Sequence, residues 1–450
     1  MPFSVRRFAA VAALSTLALS GCVQLEPRAE LPPQRASAPA VTTELDALLA
    51  GAEDSRPGQS GFRLVADGPQ AFAIRSRSAL LAGRSLDIQT YIWHDDLTGM
   101  FLAHRVLEAA DRGVRVRLLL DDMDARAKNI GFATLHSHPN IQVRMFNPFA
   151  TRDGAFSFIS EGLGSFNRVN RRMHNKGWIA DNRLAVVGGR NLGDEYFGAS
   201  EEVNFVDLDF AMVGPVVRDV SASFDRFWNS PVAYPMDVLD PEAVDEADLG
   251  ALRKQLADAA AEARSGRYGD EQMENEAVQR LVDGDWPMEW VSDFAFVSDY
   301  PDKAWAEKAS PESSNVLKAI APVMQASEDV LTIISPYFVP GEEGTAFLVG
   351  IAADRTVRVL TNSLAANDVA AVHGGYSRSR EALLAGGVLL YEMKPIGNQD
   401  VPYSLRGSTG GSLHTKAFSV DDDRLFVGSY NLDPRSTSLN CEQGVMVASE

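Results

Sequence analysis

The pattern His-x-Lys-x4-Asp occurs twice: His174-Asn175-Lys176-Gly177-Trp178-Ile179-Ala180-Asp181 and His414-Thr415-Lys416-Ala417-Phe418-Ser419-Val420-Asp421. Each copy runs through a β-like stretch into a turn, Gly188-Gly189-Arg190-Asn191 in one and Gly428-Ser429-Tyr430-Asn431 in the other. In both, the Asn follows its His by 17 positions. A motif repeated in register so far along the chain constrains the fold to two similar units.

The flanking patterns repeat as well. Leu86–Trp93 reads as a strand, Thr98–Arg112 as a helix closed by Gly113, and Val114–Leu120 and Ile141–Phe146 as strands. The second half offers strands over Val330–Phe338, Thr356–Leu360 and Gly387–Tyr391 and a helix over His373–Ala385. This alternation predicts an α/β fold of two similar lobes, each a mainly parallel mixed sheet flanked by helices. We place the N-terminal lobe at 46–232, an insert at 233–320 and the C-terminal lobe at 321–450. The insert holds an Ala-rich amphipathic helix over Leu252–Ala263 and an aromatic patch of Trp286, Trp290 and Phe294. It is expected to pack over both lobes. In the first half the strand ending at Gly214 leads into a helix, Pro215–Trp228, whereas the second half stops at Glu450 after the matching strand. The expectation is a fragment or a missing packing helix, and an apolar face left bare by its absence.

At the start, Arg6 and Arg7 precede Phe8–Leu19, an apolar run of about a dozen residues that suits a signal-peptide core and is too short to span a bilayer. It ends in Leu19-Ser20-Gly21-Cys22, which resembles a bacterial lipobox with lipid carried on the Cys22 thiol. Residues 1–21 then form a signal peptide and 22–45 a lipid-anchored tether. Val23, in place of Asp, implies the outer membrane, facing the periplasm. Cys441 is the only other cysteine, so acylation of Cys22 excludes an intramolecular disulfide and a cysteine zinc site. Cys441 is expected to be a buried, inert thiol in a strand. The net charge of −19 opposes a nucleic-acid partner. It would also repel anionic lipid, so the anchor is what would hold the chain at a membrane surface.

In an extended segment residues i and i+2 share a face, so the His and Lys of each motif project together. Two facing copies gather His174, Lys176, Asn191, His414, Lys416 and Asn431. That set suits a phosphodiester. Lys and Asn grip the non-bridging oxygens, one neutral imidazole attacks phosphorus, and the other, protonated, delivers a proton to the leaving oxygen. The scheme needs no metal and no cofactor. His136-x-His138 lacks ligands to complete a metal site, and His94, His104 and His373 have no matching context. Each catalytic imidazole needs an acceptor on its other nitrogen. Asp207, with Asp209 as rival, and Glu442 are expected to serve the His of their own motif. Asp181 and Asp421 end the motif strands and are expected to brace the turns.

The paired motifs are similar to those of the phospholipase D superfamily. The strings Tyr91-Ile92-Trp93-His94-Asp95-Asp96, Arg172–Lys176, Gly188–Gly198, Thr361–Leu364 and Asp433–Ser436 resemble its bacterial cardiolipin synthase C-type members, from about Ser60 to Glu450. The resemblance implies two α/β lobes with the active site at their interface and a covalent phosphatidyl-histidine intermediate. It implies a phosphatidyltransferase forming cardiolipin, with phosphatidylglycerol as the usual acceptor and phosphatidylethanolamine as a further phospholipid substrate. By analogy His174 is the nucleophile and His414 the general acid and base. A hydrolytic phospholipase D releasing phosphatidic acid is the alternative. A nuclease is disfavoured by charge and anchor. Intact His, Lys and Asn in both halves speak against a non-catalytic scaffold.

Overall fold

A computed structural model describes residues 28–38, 41–125, 131–150, 166–239, 246–265, 271–306, 308–367, 369–395 and 410–449. The expected signal peptide and Cys22 lie outside these residues. Helices of two turns or more are α1 (Glu44–Asp54), α2 (Gly68–Leu81), α3 (Leu97–Asp111), α4 (Val216–Trp228), α5 (Glu246–Ser265), α6 (Glu271–Val282), α7 (Asn315–Gln325), α8 (Gly341–Ala352) and α9 (Ala370–Ala385). The first sheet takes β1 (Ser60–Val65), β2 (Ser85–Thr90), β3 (Arg115–Asp121), β4 (Ile141–Phe146), β5 (Gly177–Ala180) and β6 (Leu184–Gly188). After β7 (Val203–Val206), which leaves it, come β8 (Asp209–Val213), β9 (Ala233–Pro235) and β10 (Glu289–Val291), in the order β10-β1-β8-β6-β5-β2-β3-β4-β9.

The second sheet comprises β11 (Phe294–Ser298), β12 (Val330–Ile334), β13 (Thr356–Asn362), β14 (Leu389–Met393), β16 (Ala417–Val420), β17 (Arg424–Gly428) and β18 (Gln443–Ala448). Its order is β11-β18-β17-β16-β12-β13-β14, while β15 (Gly410–Leu413) pairs with β7. The sheets are mixed. Within these two large sheets, parallel pairing is confined to β2–β3–β4 and β12–β13–β14, where helices make the crossovers. The motif strands enter as antiparallel hairpins, β5–β6 and β16–β17. Their tight turns place Asp181 and Asn182, and Asp421 and Asp422, at positive φ, which short Asx side chains tolerate.

The insert divides between the lobes. Its helices α5 and α6 cover α3 and α2 of the first lobe. Trp290 and Phe294 sit on strands that extend the two sheets, β10 beside β1 and β11 beside β18. The boundary expected at 320/321 falls inside α7, which Ser314 starts by accepting from Leu317 N. One core joins the lobes: Phe224, Phe227 and Trp228 of α4 pack with Ile179, Phe210 and Met212, and with Val427 and Val445 of the second lobe. On the second sheet, the face away from α7–α9 carries half-buried Val330 and Ile334 and exposed Leu389 and Tyr391. No described helix is long and apolar enough to cross a membrane.

Candidate active site

Each motif reaches its sheet through an extended run that precedes the regular ladder: His174 and Lys176 come before β5, His414 and Lys416 before β16. The backbone of each run is held by the opposite lobe. His174 N donates to Cys441 O at 2.9 Å, and Cys441 N donates to Arg172 O at 2.9 Å. His414 N donates to Val206 O at 2.9 Å, at the end of the parallel pairing of β7 with β15. Cys441 is buried in this inter-lobe bridge rather than in a strand ladder.

Glu442 follows Cys441 and Asp207 follows Val206, so the pairing delivers each carboxylate to the opposite lobe's imidazole. His174 Nδ1 lies 2.9 Å from Glu442 Oε2, and His414 Nδ1 lies 2.6 Å from Asp207 Oδ2. The expectation that each acid serves its own motif is therefore corrected: the acids are exchanged. The reason is backbone direction, since the segment carrying each acid runs past its own turn and bonds across the interface. The rival Asp209 is engaged elsewhere, by Arg75 at 2.9 Å and Arg190 at 3.3 Å.

With a carboxylate on Nδ1, Nε2 of each imidazole keeps its lone pair for chemistry. Burial pushes the His174 pKa down to about 4, against the opposing pull of Glu442. Burial also lowers that of His414, helped by the Lys416 charge and opposed by Asp207. Burial alone would raise the two carboxyls. His414 instead holds Asp207, and His174 holds Glu442, below the usual carboxylate range. Glu442 accepts further bonds from Ser429 Oγ at 2.5 Å and Ser436 Oγ at 2.8 Å. Lys176 Nζ donates to His174 O at 2.6 Å, and Lys416 Nζ donates to His414 O. Burial lowers the Lys176 pKa well below the ordinary ammonium value.

The two amides differ. Asn191 is engaged on both sides, with Nδ2 donating to Tyr196 OH at 2.8 Å and Oδ1 accepting from Ile92 N at 3.2 Å. Asn431 Oδ1 is buried with no hydrogen-bond partner among the described residues. Asp181 accepts from the backbone N–H groups of Gly83, Arg84 and Ser85, and Asp421 from those of Glu328, Asp329 and Val330. Each thus fixes the start of the neighbouring strand, β2 or β12, away from the imidazoles.

Aromatic rings complete the walls. Tyr91 stands edge-on to His174 with centroids 5.3 Å apart, and Lys176 Nζ lies 5.4 Å from the Tyr91 ring. Tyr196 and Phe205 flank His414 at 5.3 and 5.0 Å. The sequence patterns gave these rings and Ser436 no role in the site, and offered the turn serine, Ser429, only as a neutral donor. For Tyr91 a signal existed: it follows the C-terminal end of β2, the edge where α/β sheets gather binding residues. His136 and His138 serve locally, accepting from Val143 N at 2.9 Å and from Asn140 N at 3.2 Å.

Against known proteins, residues 79–228 and 320–450 match the family model described as cardiolipin synthase, PLD-like domain. The chain is 42% identical over 405 residues to cardiolipin synthase C of Escherichia coli, covering 88% of this chain and 82% of that protein. It is 24% identical over 392 residues to cardiolipin synthase 2 of Staphylococcus epidermidis, covering 86% and 64%. The fold is similar to that of phosphatidylserine synthase from Haemophilus influenzae, with a TM-score of 0.57 at 12% identity over 89% of this chain and 86% of that one.

Proposed function

The chain belongs to the family of cardiolipin synthase, phospholipase D-like domains, and from that premise we propose that it transfers a phosphatidyl group between phospholipids to form cardiolipin. The observation that carries the reading is the pair of buried imidazoles, each held at Nδ1 by a carboxylate of the other lobe. Nε2 of His174 attacks phosphorus of the donor phospholipid. The P–N bond forms as the bond to the head-group oxygen breaks, and protonated His414 gives that oxygen its proton. His414, now neutral, takes the proton of an acceptor hydroxyl, whose oxygen attacks phosphorus and releases His174. Lys176, Lys416 and the Nδ2 donor of Asn431 stabilise charge on the non-bridging oxygens. Phosphatidylglycerol and phosphatidylethanolamine are the proposed substrates, and acylated Cys22 the proposed link to the outer membrane.

The test is thin-layer chromatography of lipids from cells lacking their own cardiolipin synthases. Cardiolipin should appear with the chain and not with its His174→Ala variant. Phosphatidic acid in its place would mean that water, not a lipid alcohol, resolves the intermediate.

A further inference from the structure

The lobes treat equivalent helices differently. In the first lobe α2 and α3 meet directly, with Phe72 and Phe101 centroids 5.1 Å apart, and α5 and α6 cover them. In the second lobe α7 and α8 are parted by an open groove of about 630 Å³. Ile320 and Met324 of α7, Phe347 and Leu348 of α8, and Tyr430 and Leu432 line it. Tyr430 and Leu432 flank Asn431, so the groove lies one backbone layer behind the turn that carries this amide.

We propose that this groove holds an acyl chain of the phospholipid whose phosphodiester occupies the paired-histidine site, an inference that rests on the function proposed above. Three observations support that occupant. His174, Lys176, His414 and Lys416 are only 8, 3, 7 and 1% exposed, so a phosphodiester reaches them by leaving the bilayer surface and entering the protein. Its tails then face water unless the protein covers them, at a cost of about 0.8 kcal/mol for each exposed methylene. The groove also adjoins the turn of the second motif, because Tyr430 and Leu432, on either side of Asn431, form part of its wall. The exposed charges at its rim, Glu342 and Glu343, repel a phosphate, so it suits the uncharged chain rather than the head group.

The experiment uses phosphatidylglycerol carrying a diazirine midway along one acyl chain, in phosphatidylglycerol–phosphatidylethanolamine vesicles with the full-length lipidated protein. After irradiation, adducts are mapped by mass spectrometry, and turnover of the same lipid is measured in parallel. Adducts are expected in residues 317–324 and 341–348. Ala321→Trp, which fills the groove, should abolish them and lower kcat/KM for long-chain lipid about tenfold, the worth of about two buried methylenes. Its kcat/KM for water-soluble dihexanoyl-phosphatidylglycerol should change less than twofold. Leu317→Lys, a charge at the rim, should act in the same direction if the larger side chain prevents folding. Turnover with adducts only outside the groove, or equal losses on both lipids in both variants, overturns the groove and leaves the proposed function standing. Groove adducts without turnover support the groove and overturn the function. Neither adducts nor turnover overturns both.

Discussion

His174 Nδ1 and Glu442 Oε2 stand 2.9 Å apart although 268 residues separate them, and they belong to different lobes. The reciprocal pair, His414 and Asp207, closes at 2.6 Å across 207 residues. Neither lobe alone contains a complete imidazole–carboxylate pair. The two imidazole–carboxylate contacts therefore depend on the inter-lobe backbone bonds of Cys441 and Val206 as much as on the motif residues.

Glu442→Gln should lower kcat by about 10³–10⁴-fold with little change in KM, because an amide at this position no longer fixes the Nδ1–H tautomer of His174. Rapid quenching with phosphatidyl-labelled lipid should show the covalent intermediate forming slowly. Asp207→Asn should also slow turnover, but through the proton transfers of His414. If Glu442→Gln accumulates intermediate while Asp207→Asn prevents its formation, the two histidines have the opposite roles.

The acid limb of kcat/KM should lie nearer pH 4 than the ordinary imidazole value of 6.5, because burial keeps His174 neutral down to about that pH. A pH–rate profile with a limb at 6.5 assigned to His174 would contradict this.

Stability should change over the same range. The pKa of folded His174 is depressed, so the unfolded chain binds more protons between pH 6.5 and 4. The native state therefore holds its full advantage above 6.5 and loses on the order of 3 kcal/mol from this group as pH falls to 4. His414 acts in the same direction. Denaturant melts at pH 7 and pH 4.5 check the sign, and replacing His174 by Gln should flatten the difference.

Arg172→Met should destabilise the first lobe by about 3–5 kcal/mol, because it strands a buried carboxylate. Asp121 lies 3.2 Å from Arg172 Nη1 and accepts from Met173 N at 2.8 Å, directly before His174. A lowered Tm together with reduced activity is the expected result.

Asp181→Ala should cost about 1–3 kcal/mol, because three backbone donors at the start of β2 lose their acceptor. Activity per folded molecule should remain near that of the unmutated chain, since Asp181 makes no contact with either imidazole. Thermal melts with active-site titration separate the two effects.

The sequence by itself determined the two-lobe α/β plan, because hydrophobic period, glycine stops and turn residues act locally and recur in both halves. The extents of α3, β3 and α4 lie within a residue or two of their sequence patterns for that reason. The chemistry was legible as well: His, Lys and Asn at fixed spacing carry their meaning in residue type. Tertiary structure decided which acid serves which histidine, because that depends on inter-lobe backbone pairing between segments more than 200 residues apart. It also decided the parting of α7 and α8, and the difference between Asn191, engaged by Tyr196, and Asn431, whose Oδ1 has no hydrogen-bond partner among the described residues. A few shared residues at fixed spacing, His, Lys, Asp, Gly and Asn, specify two similar turns. What surrounds each turn comes from distant parts of the chain, and no local pattern encodes it.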